Sequence, residues 1–185
     1  MTEDVISEFR GRIDETCEAL KRELARMRTG RANLSILDGV RVDYYGQKSP
    51  LNQVASLTVA DPRLIVVKPW DKSMIPAIEK AIFDSELGIT PQNDGEVIRL
   101  PIPQMTEERR REMVRQVKAK AEEYKVAVRN ARRDAREMLE ELEKEGEISE
   151  DELKRAEDKV QSLTNEGVAR IDRMVAAKEE ELMEV

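Results

Sequence analysis

Histidine is absent from this chain, and cysteine occurs once, at Cys17. The first absence removes histidine-ligated zinc sites, Ser-His-Asp triads and any imidazole general base. A single cysteine excludes an internal disulfide and fits a reducing compartment. Aromatic residues make up only 3% of the sequence, which argues against one large globular core. No apolar run reaches the ~18 residues of a membrane span. The acidic start Met1-Thr2-Glu3-Asp4 leads into no apolar segment, so neither a signal peptide nor a transit peptide is expected. The glycine-rich loops that cradle nucleotide phosphates are missing. The clusters Glu140-Glu141-Glu143-Glu145-Glu147 and Glu179-Glu180-Glu181 read as solvated helix surface rather than metal pockets. These absences predict a soluble, cytoplasmic protein without cofactor, metal or catalytic centre.

Charge is what the chain has in abundance: 38% of its residues are charged, with a net charge of −7. The signs are unevenly placed. Thr106 to Arg136 holds eleven basic and six acidic residues, whereas Glu137 to Val185 holds seven basic and seventeen acidic. Thr106 to Glu145 reads as one long helix with two stripes. Val117, Ala121, Tyr124, Val128, Ala131, Ala135, Met138 and Leu142 follow the three-four spacing of a helix face that packs on other helices. Beside them Arg111, Arg115, Lys118, Lys125, Arg129, Arg132, Arg133 and Arg136 fall within an arc of roughly 100°. A charge stripe on a long helix is ordinarily a solvated face. Here the signs are segregated and arginine dominates, and its planar fork of donors suits phosphate oxygens. The stripe is therefore a candidate polyanion-binding face.

The rest of the chain divides by texture. Residues 3 to about 28 form a first helix with Ile6, Phe9, Ile13, Cys17, Leu20, Leu24 and Met27 on its apolar face, Cys17 reading as a buried structural thiol. Between about 30 and 105 short alternating runs predict strands at Val40–Tyr45, Val54–Val59, Leu64–Val67 and Val97–Leu100. Gly46 to Pro50 reads as a turn, and Ser73 as the cap of a short helix through Phe83. Tyr44, Tyr45, Trp70 and Phe83 are expected to serve this segment's core, with at least one of the paired tyrosines inside. After Gly146, Ser149-Glu150-Asp151-Glu152 is a capping box that opens a third helix. Its apolar positions are Leu153, Ala156, Val160, Leu163, Val168, Ile171, Met174, Val175 and Leu182.

These stripes predict an α+β protein: an elongated antiparallel three-helix bundle from residues 1–29 and 106–185, with a small β/α/β domain at 30–105 inserted into it. Two linkers join the parts, near 29–33 and 101–106. Thr29, Gly30, Arg31, Pro101 and Pro103 are the candidate hinge residues, and a rigid elbow is equally compatible with them. Periodicity alone also allows a coiled-coil adaptor or chaperone that binds protein partners.

Several motifs together resemble the ribosome recycling factor family. They are Arg28-Thr29-Gly30-Arg31-Ala32, Val42-Asp43-Tyr44-Tyr45-Gly46, Leu87-Gly88, Asn93-Asp94-Gly95, Thr106-Glu107-Glu108-Arg109-Arg110 and Val128-Arg129-Asn130-Ala131-Arg132-Arg133-Asp134. The resemblance runs through the whole chain, including helix and insert lengths. One departure is Ile89-Thr90-Pro91, where the family more often has asparagine before the proline. The resemblance implies an L-shaped, tRNA-like outline and a monomeric translation factor. It implies binding to the large ribosomal subunit of a post-termination complex and, with elongation factor G and GTP, separation of the subunits with release of mRNA and deacylated tRNA. Carried over by motif, the rRNA contacts fall on Arg28, Arg110, Arg129, Arg132 and Arg133, with Arg136 added as the next arginine of the stripe. Arg110 lies outside the stripe and rests on the resemblance alone.

Overall fold

The computed structural model describes residues 1–184. It runs through α1 (Thr2–Arg26), the strands β1 (Arg41–Tyr44) and β2 (Gln47–Pro50), a single turn α2 (Leu51–Val54), then β3 (Ala55–Asp61) and β4 (Leu64–Pro69). α3 (Ile75–Phe83), β5 (Gln92–Asn93) and β6 (Ile98–Pro101) follow, and the chain ends in α4 (Glu107–Lys144) and α5 (Glu150–Met183). Two compact units result: Met1–Leu24 with the chain from Arg110 onward, and Ala25–Arg109. Among the described residues no helix is long and apolar enough to cross a membrane.

In the first unit α4 runs antiparallel to both α1 and α5. Arg12 meets Asp134 while Glu23 meets Lys120, and Lys118 meets Glu179 while Arg136 meets Glu157. The α4–α5 corner is made by local chemistry. Gly146, at φ +75°, lets Glu147 N–H reach the Leu142 carbonyl at 2.9 Å and its own N–H reach Glu143 at 3.0 Å, the paired bonds of a Schellman stop. Three residues on, Ser149 Oγ accepts from Glu152 N–H at 3.3 Å while the Glu152 carboxylate accepts from Ser149 N–H at 2.8 Å.

The bundle core follows the predicted stripes with two corrections. Met138 is 43% exposed and Leu139 is buried in its place. A strict heptad drifts by about 20° per repeat on a straight helix, so three repeats beyond Val117 the buried line has moved to the next residue. On α5 the buried line is Ala156, Val160, Thr164, Gly167, Ile171, Lys178 and Leu182, with Leu163, Val168, Met174 and Val175 half-buried beside it. Small residues sit mid-line because α1 approaches closely there: a Cβ on Gly167 would lie 2.8 Å from Ile13 Cγ2. Thr164 is satisfied by donating to the Val160 carbonyl at 2.8 Å. Cys17 is buried against the same stretch, and that burial pushes its thiol pKa up.

The second unit places a β1–β2 hairpin and α3 against a four-stranded antiparallel sheet of order β3-β4-β6-β5. Its core is aliphatic, built on Val42, Leu51, Ile65, Val67, Ile78, Ile82, Ile98 and Leu100. The expected aromatic core is absent: Trp70 and Phe83 are exposed, as are both Tyr44 and Tyr45. The hairpin turn also differs from expectation. Residues 47–50 are strand, and Tyr45 and Gly46 form a two-residue turn with φ +48° and +84°, the positive pair that matches strand twist. Tyr45 is thereby held outward, its hydroxyl 3.2 Å from Asp71. Asp71, rather than Ser73, caps the turn that leads into α3, accepting from Ser73 N–H at 2.9 Å.

Both linkers are tied to one turn of the sheet. Ala32 N–H donates to the Pro62 carbonyl at 2.7 Å and Ile102 N–H to the Arg63 carbonyl at 2.8 Å. Thr29 is buried, Gly30 has φ +77° with Met105 3.6 Å from where a Cβ would stand, and Pro101 closes β6 opposite Leu64.

Candidate nucleic-acid interface

The cations of α4 separate into two rows. Lys118, Lys125, Arg132 and Arg136 recur at seven, seven and four residues, which keeps them on one side of the helix. That side faces α5. Lys118 Nζ lies 3.6 Å from Glu179, and Lys125 Nζ 2.6 Å from Asp172. Arg132 Nη1 donates to Gln161 Oε1 at 3.1 Å, and Arg136 Nε and Nη2 reach Glu157 Oε1 at 3.0 and 2.9 Å. The hydrogen bond from Lys125 to Asp172, helped by the charges of Asp172 and Glu122, raises the lysine pKa and keeps it cationic. The inner row is thus held in register by a facing row on α5.

The outer row turns away from that seam. Arg129 and Arg133 are 52% and 67% exposed, and Arg115 is exposed with no ion-pair partner among the described residues. Arg129 meets Glu122 on its own helix at 3.4 Å; Arg133 stands 3.8 Å from Glu137 and 3.9 Å from Asp134. Exposed pairs of this kind contribute about 0.2–1 kcal/mol each. A phosphate offering bidentate acceptors can therefore displace the carboxylate from such an arginine at small cost.

The other two candidates stand elsewhere. Arg110 is half-buried; its Nη1 donates to the Glu184 carbonyl at 3.4 Å and its Nε is shielded without a partner. Arg28 belongs to the second compact unit, where Nη2 donates to the Glu86 carbonyl at 2.7 Å. The structure therefore brings Arg129, Arg132, Arg133 and Arg136 together within two to three turns of α4; Arg110 lies in the first turn of the same helix, and Arg28 belongs to the other unit. Reading the stripe alone missed its partners Glu157, Gln161, Asp172 and Glu179. A signal existed: with Asn165 they recur on α5 at four, four, seven and seven residues, spacings that keep them on one side of that helix as seven, seven and four do for the inner row of α4.

The side that carries these rows is a helix surface with planar donors on a rigid rod. It can bind and orient a polyanion.

Comparison with known proteins gives the family. A family model described as "Ribosome recycling factor" matches residues 20–183. The ribosome-recycling factor of Anaeromyxobacter sp. (strain K) is 56% identical over 185 residues, all of this chain and 98% of that protein. Those of Sorangium cellulosum (strain So ce56) and Geobacillus kaustophilus (strain HTA426) are 54% and 53% identical, with both chains fully covered. A solution structure of a ribosome recycling factor superposes with a TM-score of 0.81 at 43% identity, covering 100% of this chain and 98% of that one. A second similar structure has a TM-score of 0.69 at 45% identity and full coverage of both chains. It represents the T. thermophilus ribosome recycling factor, with E. coli elongation factor G, bound to the E. coli post-termination complex. A helical bundle with an inserted α/β unit, matched along its length in sequence and in structure, belongs to the ribosome recycling factor family.

Proposed function

We propose that this protein binds the post-termination ribosome and, with elongation factor G and GTP, promotes subunit separation and release of mRNA and deacylated tRNA. The chain supplies binding and mechanical coupling; the covalent step, GTP hydrolysis, belongs to the partner. The observation that carries the reading is the double row of cations on α4, five of them arginines among Arg115, Arg129, Arg132, Arg133 and Arg136. It is supported by the similar factor bound to a post-termination complex with elongation factor G. In this reading Arg129, Arg132, Arg133 and Arg136 contact phosphates of large-subunit rRNA, joined by Arg28 and Arg110. In this reading Thr29, Gly30 and Arg31, with Pro101 and Pro103, serve as hinge residues on the insert side of the two crossings, which the compact units put at 24–25 and 109–110.

Co-sedimentation with large ribosomal subunits across a salt series tests the reading. Wild type is expected to lose affinity with a log-log slope of ~0.7–0.9 per phosphate contact, and Arg129→Ala/Arg132→Ala to lose binding with the fold intact. Salt-independent binding that survives the double substitution would point to a protein-binding adaptor instead. A disulfide engineered across the two linkers is expected to slow recycling without weakening binding; unchanged recycling would remove the hinge.

A further inference from the structure

Arg132 is the only inner-row cation whose partner on α5 is uncharged. Lys118, Lys125 and Arg136 each face a carboxylate, from Glu179, Asp172 and Glu157. Arg132 faces the amide oxygen of Gln161 at 3.1 Å, while the amide nitrogen of Gln161 donates to Asn165 Oδ1 at 2.9 Å. An amide has an oxygen that accepts and a nitrogen that donates. With its nitrogen donated to Asn165, Gln161 presents its oxygen to the guanidinium, and the three side chains form one chain of hydrogen bonds. Arg132 Nε is buried without a hydrogen-bond partner, so among the described residues the bond to Gln161 is what orients the fork.

From this geometry we infer that Gln161, aligned by Asn165, is a positioning residue for Arg132: it orients the guanidinium toward an rRNA phosphate without spending its charge. The inference rests on the proposed rRNA contact of Arg132. A carboxylate at position 161 would orient the fork equally well, yet it would compete with the phosphate for the same donors. The neutral amide gives orientation alone. The inner row is thereby unequal: Lys118, Lys125 and Arg136 each face a carboxylate that a phosphate must compete with, and Arg132 faces none.

The discriminating substitution is Gln161→Glu, nearly isosteric and differing in charge. Full-length wild type, Gln161→Glu, Arg132→Ala and the double variant are compared by co-sedimentation with purified large subunits over a salt series. Far-UV circular dichroism and thermal midpoints check that each folds. Gln161→Glu is expected to bind about two- to fivefold more weakly, the range over which an exposed ion pair competes. Its log-log salt slope is expected to be shallower by up to one phosphate contact, ~0.7–0.9. In the Arg132→Ala background the same substitution is expected to change neither quantity. An altered slope separates this role from simple destabilisation, which would lower the thermal midpoint instead. Two results overturn the inference alone: Gln161→Glu with wild-type affinity and slope, or an equal loss in the Arg132→Ala background, each while Arg132→Ala still weakens binding. Arg132→Ala binding as wild type would overturn the rRNA contact itself, and this inference with it.

Discussion

The two compact units solve the same burial problem with opposite materials. The insert buries a broad cluster of Ile, Val, Leu, Met and Ala and leaves Tyr44, Tyr45, Trp70 and Phe83 exposed. The bundle buries a line rather than a cluster, and that line admits Phe9 on α1 but also Gly167, Thr164 and Lys178 on α5. The difference follows from shape. A thin layer between a small sheet and a nine-residue helix is filled by branched aliphatic side chains, with little depth for a ring. Three long helices meet along a seam whose width varies, so one level takes a phenyl ring and another takes no side chain at all. Side-chain identity in the bundle therefore reports local helix separation, whereas in the insert it reports only inside against outside.

The sharpest way to break this contrast is to exchange large residues across it. Phe9→Ala, at 2% exposure, is expected to destabilise the bundle by about 3–5 kcal/mol, measured by urea denaturation followed by circular dichroism. Loss of under 1 kcal/mol would mean the seam can collapse around the gap. Gly167→Ala tests the opposite extreme. Its new methyl would stand 2.8 Å from Ile13, and about 1–3 kcal/mol of destabilisation from overpacking is expected. Partial recovery by Ile13→Val in the same chain would locate the clash.

A third prediction concerns the insert at acid pH. Asp94 accepts from Val97 N–H at 3.0 Å and Glu96 N–H at 2.9 Å, and Arg99 donates to it at 2.7 Å. These contacts, the Val97 bond first, hold its carboxyl well below the usual carboxylate range. A depressed folded pKa gives stabilisation that is complete above the unfolded value of about 3.9 and is lost as pH falls beneath it. Wild type is therefore expected to exceed Asp94→Asn in insert stability at neutral pH, and the gap to narrow steadily as pH falls below about 4 toward the depressed folded pKa. Amide hydrogen exchange of β6 would measure it; parallel curves would refute the assignment. The smallest effect is expected at Trp70, 70% exposed. Trp70→Ala should change stability by within about 0.5 kcal/mol, and the indole of the folded chain should be fully open to acrylamide quenching.

Much of this was legible in the sequence, and the failures share a cause. The apolar stripe from Val117 to Ala135 and the capping box at Ser149 are local patterns, set within one or two helical turns. The aromatic placement was not legible, because composition shows that rings exist but not how deep the layer beneath them is. Thr164, Gly167 and Lys178 escaped notice because a residue joins a buried line by proximity of another helix, whatever its polarity. The cationic stripe was readable as a row, while its splitting into an inner and an outer row depended on the register of α5 against α4. That register is a relation between two helices, each carrying a polar row on one side, and it shows only when both are read together.

The bonds from Ala32 to Pro62 and from Ile102 to Arg63 have a consequence for the order of folding. About 80 residues separate Arg26 from Glu107, and α1 must find α4 across that length. Loop-closure cost grows as (3/2)RT ln n. If the insert forms first, its two ends are already neighbours and the effective loop shrinks to roughly 11 residues, which lowers the cost of docking α1 by about 1.8 kcal/mol. A chain in which the insert is selectively unfolded should assemble its bundle about twentyfold more slowly at 25 °C, by the same closure term.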